Sequence, residues 1–99
     1  MSTNARRYLE KLVGSLSLGK SLRAIRLGEE ESQTNFAKKL GVSVQYLCDL
    51  EHDRKIVSPK KAKEFADILG YSPEQFVCLA LQDSLNQYNI PMHVEVSAA

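Results

Sequence analysis

The chain has 99 residues, and its 43% hydrophobic and 25% charged content is typical of one ordinary globular domain. No apolar run approaches the roughly 18 residues that a membrane-spanning helix needs, and residues 1–17 lack the apolar stretch of a secretory signal. We therefore expect a cytoplasmic protein that makes no membrane contact.

The net charge is only +1, but the charges are unevenly distributed along the chain. Residues 1–63 carry all thirteen Lys and Arg against seven Asp and Glu, whereas residues 64–99 carry five acids and no Lys or Arg. This asymmetry indicates a basic surface for a polyanion and a second region with another task. A chance segregation of solvated charges is the alternative explanation.

Apolar residues recur at helical spacing in several segments, with serines before them and glycines after them. A weak pattern over residues 4–13 predicts an N-terminal helix. Stronger patterns predict helices over residues 18–27, 33–40, 44–52, 59–69 and 73–87. The predicted N-caps are Ser32, Ser43, Ser58 and Ser72, and the predicted left-handed C-caps are Gly28, Gly41 and Gly70. These signals predict an all-α fold.

Residues 73–87 carry more apolar side chains than one buried face requires, which leaves a second stripe without an internal partner. Beyond a proline, the alternation over residues 92–96 predicts a short β-strand, which can pair with its symmetry mate. The predicted dimer interface comprises Val77, Leu81, Leu85, Met92, Val94 and Val96. Alternatively, the helix over residues 4–13 covers this stripe within one chain.

Residues 32–51 contain two short helical patterns separated only by residues 41–43, which begin with glycine. So short a connection forces two helices to cross steeply. Ala37 is small where the second helix must approach, and Leu47 and Leu50 form the buried stripe of that second helix. The other side of the second helix is then available to an external ligand.

The pattern S-Q-x-x-F-A-x-x-L-G-V-S-x-x-x-L-x-x-L-E, over residues 32–51, resembles the helix-turn-helix of the Cro/C1-type (Xre) family of DNA-binding regulators. The match extends through LRAIR (22–26) and SPKKAKEFADILGYSPEQF (58–76). The resemblance implies a five-helix, lambda-repressor-like DNA-binding domain. Its expected extent is residues 18–80, with an extension over residues 1–17 and a helix end and tail over residues 81–99.

The resemblance implies that residues 44–52 are the recognition helix and that Val44, Gln45, Tyr46 and Asp49 face the major groove. A glutamine amide can hydrogen-bond to adenine, and a valine can pack on a thymine methyl group. Tyr46 is long enough to reach a base or a phosphate. Asp49 can accept from cytosine or instead orient a neighbouring basic side chain. The alternative is that these side chains form only a solvated face.

The same resemblance implies that Gln33 contacts a phosphate and that Arg26 and Glu51 form a partly buried ion pair. Many family members have a glycine soon after that glutamate, where this chain has residues 52–55 (His-Asp-Arg-Lys). The expected phosphate contacts are Gln33, Lys38, Lys39, Ser43, Arg54, Lys55, Lys60 and Lys61, with Arg6, Arg7 and Lys11 as an additional arm. Some of these lysines are alternatively only solubilising.

Cys48, His52, Cys78 and His93 show neither C-x-x-C nor H-x-x-x-H spacing, so we expect no metal site and no cofactor. Both cysteines are expected to be reduced. The sequence contains no glycine-rich phosphate loop and no nucleophile constellation. We therefore do not expect an enzyme.

These features predict a homodimer that binds double-stranded DNA at a palindromic operator and represses transcription. An antitoxin that masks a toxin protein and autoregulates its operon is the alternative, because the apolar C-terminal region suits either partner. A protein-interaction module that keeps the fold without binding DNA is a third hypothesis.

Overall fold

The computed structural model describes residues 16–99, and the helix predicted over residues 4–13 lies outside this range, as do Arg6, Arg7 and Lys11. The described chain forms α1 (Leu18–Gly28), α2 (Gln33–Leu40), α3 (Val44–Glu51), α4 (Pro59–Leu69) and α5 (Pro73–Gln87). The predicted all-α fold is confirmed, and each helix end lies within one residue of its predicted position. Among these five helices, none is long and apolar enough to cross a membrane.

A serine precedes each of these five helices, and its hydroxyl accepts the backbone N–H three residues later. This contact satisfies one of the amide groups that a helix start leaves without an intrahelical partner. Four of the serines are the predicted caps, and the sequence patterns miss Ser17 before α1. The short-range chemistry of the chain thus determines where the helices begin.

The predicted left-handed caps are present at Gly41 and Gly70, which have φ of 74° and 76°. The prediction for Gly28 is wrong, because α1 continues through this residue and Glu30 adopts the left-handed conformation instead, with φ 57°. The Glu31 N–H donates to the Arg26 carbonyl oxygen, and the Arg26 side chain donates back to the Glu31 carbonyl oxygen at 3.0 Å. This reciprocal pair holds the turn closed without a left-handed glycine.

The chain divides between Lys55 and Ile56 into two compact units, here called the N-terminal unit and the C-terminal unit. In the N-terminal unit, α3 packs against both α1 and α2. Gly19 on α1 permits the closest approach, because a Cβ atom there would overlap the carbonyl oxygen of Leu50 on α3. Among residues 16–55, the core side chains of this unit are Leu18, Leu22, Ile25, Phe36, Ala37, Leu40, Leu47 and Leu50.

In the C-terminal unit, α4 packs against α5. The rings of Tyr71 and Phe76 stack with their centroids 5.8 Å apart at the start of α5. The buried apolar side chains of this unit are Val57, Ala62, Phe65, Ala66, Leu69, Tyr71, Phe76 and Ala80.

The β-strand predicted over residues 92–96 is absent, because residues 90–99 contain no regular secondary structure. Side chains of α5 bind the backbone groups that a neighbouring strand would otherwise bind. The Gln82 amide accepts the Val94 N–H at 2.8 Å and donates to the Met92 carbonyl oxygen at 2.9 Å. The alternation therefore indicates an extended segment correctly but does not reveal its partner.

Candidate nucleic-acid interface

The connection between α2 and α3 is a tight turn built on Gly41, which has φ 74° and ψ 30°. The Val42 N–H donates to the Ala37 carbonyl oxygen at 3.0 Å and closes the end of α2. Ser43 begins α3, because its hydroxyl accepts the Tyr46 N–H at 3.0 Å. The chain passes from one helix to the next within three residues.

Helix α3 has one buried side and one exposed side. Leu47 and Leu50 are completely buried, while Val44 is 41% exposed and Gln45 is also exposed. The buried leucines hold α3 against α1 and α2. Its outer side therefore presents side chains to an external ligand at defined positions.

A buried carboxylate ties α3 to α1. Glu51 is completely buried and receives two hydrogen bonds from Arg26, from Nε to Oε2 at 2.8 Å and from Nη2 to Oε1 at 3.0 Å. The paired geometry adds both strength and direction. Burial alone would raise the pKa of Glu51, but hydrogen bonds from Arg26 and Gln33 outweigh it and hold that pKa below its ordinary value.

Gln33 belongs to the same network. Its Nε2 donates to Glu51 Oε1 at 3.0 Å, and the side chain is partly buried. The structure thus places the predicted phosphate contact beside the predicted ion pair, where Gln33 braces the end of α3 against the start of α2. Its amide oxygen has no hydrogen bond recorded among residues 16–99.

The exposed side of α3 contains a linked set of polar groups. Gln45 Nε2 donates to Asp49 Oδ1 at 3.1 Å, one helical turn further on. Arg54 Nε donates to the same oxygen at 2.8 Å, and Lys55 Nζ lies 3.6 Å from Asp49 Oδ2. The Arg54 hydrogen bond and the nearby cations hold the pKa of Asp49 below its ordinary value.

Tyr46 joins this set through its ring, because Lys55 Nζ lies 5.6 Å from the ring centroid. Three predicted side chains, Gln45, Arg54 and Lys55, thus meet at the carboxylate of a fourth, Asp49. Asp49 itself is largely enclosed, with only 13% of its side chain exposed. A carboxylate surrounded by two cations presents little free negative charge to a phosphate backbone.

The segment after α3 contains the left-handed residue that many family members supply as glycine. Asp53 has φ 56°, a conformation that aspartate tolerates better than most residues. The Ser17 hydroxyl donates to Asp53 Oδ1 at 2.7 Å and fixes this segment next to the start of α1. Sequence reasoning missed both side chains, although an aspartate in a turn after a helix is a recognisable signal.

The two lysines on α2 have different surroundings. Lys39 Nζ lies 2.8 Å from Glu31 and 3.6 Å from Glu29, and the hydrogen bond to Glu31 raises the pKa of Lys39. Lys38 is exposed and has no ion pair with any carboxylate among residues 16–99. Of the two, Lys38 is the cation that is available to a phosphate.

The remaining predicted phosphate contacts lie at helix starts. Ser43 is exposed at the N-terminus of α3, where backbone N–H groups and the helix dipole favour an anion. Lys60 and Lys61 lie in the first turn of α4, in the C-terminal unit, where Lys60 is exposed and Lys61 is partly exposed.

Cys48 on α3 is in contact with His52, the residue that follows this helix, with Sγ 3.6 Å from Nδ1. Arg54 also donates to Cys48 Sγ at 3.4 Å. In the part of the chain that the structure describes, no three His, Cys, Asp or Glu side chains come together as a metal site. Cys48 and Cys78 are both free thiols.

The residues of the predicted dimer interface share the C-terminal unit. Leu81 is 36% exposed and Met92 is 65% exposed, while Val77, Leu85, Val94 and Val96 are partly exposed. Four further large apolar side chains are exposed in this unit, Ile56, Ile68, Tyr88 and Ile90. This concentration of exposed apolar groups suits a protein partner.

A short helix pair joined at a left-handed glycine, with the second helix anchored on one side and polar on the other, defines a helix-turn-helix protein. A family model described as "Helix-turn-helix" matches residues 22–76. Over 57 residues the chain is 33% identical to the "Uncharacterized HTH-type transcriptional regulator YazB" of Bacillus subtilis (strain 168), covering 58% of this chain and 83% of that protein. No solved structure matches the chain.

The chain belongs to the Cro/C1-type helix-turn-helix family of DNA-binding transcriptional regulators. The matched region begins within α1 and ends within α5, so it includes the turn at Gly41 and all of α3.

Proposed function

We propose that the protein binds double-stranded DNA sequence-specifically as a dimer and represses transcription. The observation that carries the proposal is the exposed side of α3, where Val44 and Gln45 project from a helix that two buried leucines and a buried ion pair hold in place. The Bacillus relative, described as a transcriptional regulator, supports the same class of function. We further propose that residues 18–80 form the DNA-binding domain and that α3 is its recognition helix.

Within this proposal, Val44, Gln45 and Tyr46 contact bases, and Asp49 acts mainly through its neighbours. Because Gln45 donates one amide hydrogen to Asp49, its second amide hydrogen and its amide oxygen remain available. These two groups match the N7 acceptor and N6 donor of adenine. Asp49 also orients Arg54, which would approach the backbone with Lys38, Lys55 and the N-terminus of α3.

In vitro selection of bound DNA from a random library tests sequence reading, symmetry and spacing together. The expected product is an inverted repeat whose half-sites lie about 10 base pairs apart, one turn of DNA. Binding should weaken steeply with added salt, because phosphate contacts release counterions. Enrichment of no motif would overturn specific reading, and a single unrepeated motif would overturn the dimer.

The proposed dimer uses the exposed apolar side chains of α5 and the tail. Leu81→Asp should shift the protein to monomer in sedimentation velocity, because a buried unpaired charge is strongly unfavourable. Leu27→Asp is the matched control, since Leu27 is 49% exposed on α1 and lies in the N-terminal unit, outside the proposed interface. Equal sedimentation of Leu81→Asp and wild type would refute this interface.

The same exposed apolar groups favour an antitoxin as the second candidate function. In that case the C-terminal unit masks a toxin protein while α3 represses the shared operon. Purification at native expression level should then give a stoichiometric complex with a second protein whose toxicity the chain relieves. Isolation of the homodimer alone from the same cells would remove this candidate.

A further inference from the structure

Residues 92–96, here called the tail segment, are bound to α5 along one backbone edge. The Gln82 amide bonds the Val94 N–H and the Met92 carbonyl oxygen, and Cys78 Sγ donates to the Val94 carbonyl oxygen at 3.3 Å. One amide group that bonds O of residue i and N of residue i+2 imitates a residue of a neighbouring β-strand. The tail segment is therefore extended, with α5 in place of a neighbouring strand.

The opposite edge of the tail segment is open. In an extended chain the backbone N–H and C=O groups of successive residues point to alternate edges, so those of His93 and Glu95 point away from α5. Both residues are exposed, and no hydrogen bond of their backbone groups is recorded among residues 16–99. An open strand edge is a template for another extended chain.

We propose that the tail segments of two copies pair as antiparallel strands about a two-fold axis at Val94. This inference rests on the proposed dimer and specifies its contact. His93 of each copy then lies opposite Glu95 of the other, and Val94 lies opposite Val94. The backbone groups of His93 and Glu95 form two hydrogen-bonded pairs, the arrangement that antiparallel strands require.

The charges of the tail segment favour this register. His93 is the only basic side chain in residues 64–99, and the pairing places it against a glutamate of the second copy on both sides of the axis. Opposite charges directly across antiparallel strands are stabilising, and like charges are destabilising. The sequence His-Val-Glu is thus complementary to itself.

The two neighbouring registers are less favourable. Centring the axis on His93 would place Pro91, which has no N–H, opposite Glu95 and remove a hydrogen bond. Centring it on Glu95 would place two glutamates directly opposite each other. Both alternatives also separate His93 from Glu95 of the second copy.

Cysteine cross-linking tests the register. In the proposed pairing Val94 faces its own copy across a non-hydrogen-bonded pair, where Cα atoms lie about 4.5 Å apart, within the range of a disulfide. Val94→Cys should form a covalent dimer on mild oxidation, on the order of tenfold more than Glu95→Cys, which faces position 93 instead. Both variants also carry Cys48→Ser and Cys78→Ser, because Cys78 Sγ lies 3.3 Å from the Val94 carbonyl oxygen and would otherwise compete for a thiol at position 94. Equal cross-linking of the two variants would overturn the register.

A charge exchange tests the same contact without new cysteines. His93→Glu and Glu95→Lys should each raise the dimer dissociation constant by about tenfold, because the first places two glutamates opposite each other and the second removes the carboxylate that faces the His93 imidazole. An equimolar mixture of the two variants should restore wild-type affinity. In that heterodimer the introduced glutamate lies opposite the introduced lysine, and the remaining His93 lies opposite the remaining Glu95. Failure of the mixture to recover would overturn the pairing.

Sedimentation of the wild type distinguishes a failure of the tail pairing from a failure of the proposed dimer. If wild-type protein sediments as a monomer at all concentrations, the proposed dimer fails and the tail pairing fails with it. If the wild type is a dimer and the charge variants and cross-links behave like their controls, only the tail pairing fails. Selection of DNA by the wild type reports separately on the recognition helix.

Discussion

The N-terminal and C-terminal units are both built from helices, yet they use polar side chains in opposite ways. The N-terminal unit contains the buried Arg26–Glu51 pair and a chain of contacts on the exposed side of α3. In the C-terminal unit the ion pair between Lys63 and Asp67 is solvent-exposed, and large apolar groups such as Met92 also face solvent. Similar helical architecture therefore supports two different kinds of surface.

The difference shows how burial decides the role of a charge. A completely buried carboxylate must be paired and hydrogen-bonded, so Glu51 fixes the position of α3. An exposed pair competes with water and fixes little. The N-terminal unit is thus suited to present polar side chains at defined positions to a ligand, while the apolar surface of the C-terminal unit suits a protein partner.

The largest effect on stability is expected from removal of the buried carboxylate. Glu51→Ala should destabilise the protein by about 3–5 kcal/mol, because it leaves Arg26 without its partner in a protected site. Asp67→Ala in the C-terminal unit should cost no more than about 0.5 kcal/mol. Urea unfolding of both variants measures the difference, and equal losses would contradict the distinction between the units.

Acid unfolding sharpens the same test. The pKa of Glu51 is lowered in the folded protein, so its contribution is fully present above the ordinary glutamate pKa and is lost as the pH falls through the folded pKa. We expect stability to fall below about pH 4.3 and this component of the decline to be absent from Glu51→Gln. An unchanged acid dependence in Glu51→Gln would show that other carboxylates cause the decline.

A second large effect is expected where α1 approaches α3. Gly19→Ala should destabilise the protein by about 3 kcal/mol, because its Cβ would overlap the Leu50 carbonyl oxygen. Helix propensity alone predicts the opposite sign, a gain of about 1 kcal/mol. Thermal unfolding distinguishes the two.

The matched control is Gly41→Ala, where a Cβ meets nothing within 4 Å but φ is +74°. Its expected cost is about 1 kcal/mol from backbone strain alone. If Gly19→Ala were as mild as Gly41→Ala, the close packing of α1 on α3 would be wrong.

A smaller effect, confined to DNA, is expected on the exposed side of α3. Gln45→Ala should cost about 1–3 kcal/mol at one base position and leave stability unchanged. Competition binding with single-base operator variants measures it, and Gln87→Ala, an exposed glutamine of the C-terminal unit, is the control. An unaltered preference at every base position would show that Gln45 does not contact a base.

The smallest effect is expected for the lysines of α2. Lys38→Ala should weaken binding to all sequences alike and reduce the salt dependence by about one ion. Lys39→Ala should change the salt dependence less, because Glu31 and Glu29 already neutralise that lysine. A change in sequence preference would contradict a phosphate role for Lys38, and equal slopes for both variants would contradict the effect of the carboxylates.

The sequence alone determined the helices, because their signals are local. Serine hydroxyls bond amides three residues away, and the left-handed caps at Gly41 and Gly70 need no distant partner. The helix-turn-helix and the buried stripe of α3 follow from the same short-range periodicity. Local signals also misled in two places. Helix α1 continues through Gly28 and Glu30 takes the left-handed conformation, and in the tail segment side chains of α5 bind the backbone.

Only the tertiary structure decided which polar groups meet. Ser17 binds Asp53 and Gln82 binds the backbone at Val94, each across a separation that no sequence period encodes. The enclosure of Asp49 between Arg54 and Lys55 likewise depends on how the chain folds back after α3. Hydrogen bonds and ion pairs act over a few ångströms of space, so their partners are defined by packing and not by distance along the chain.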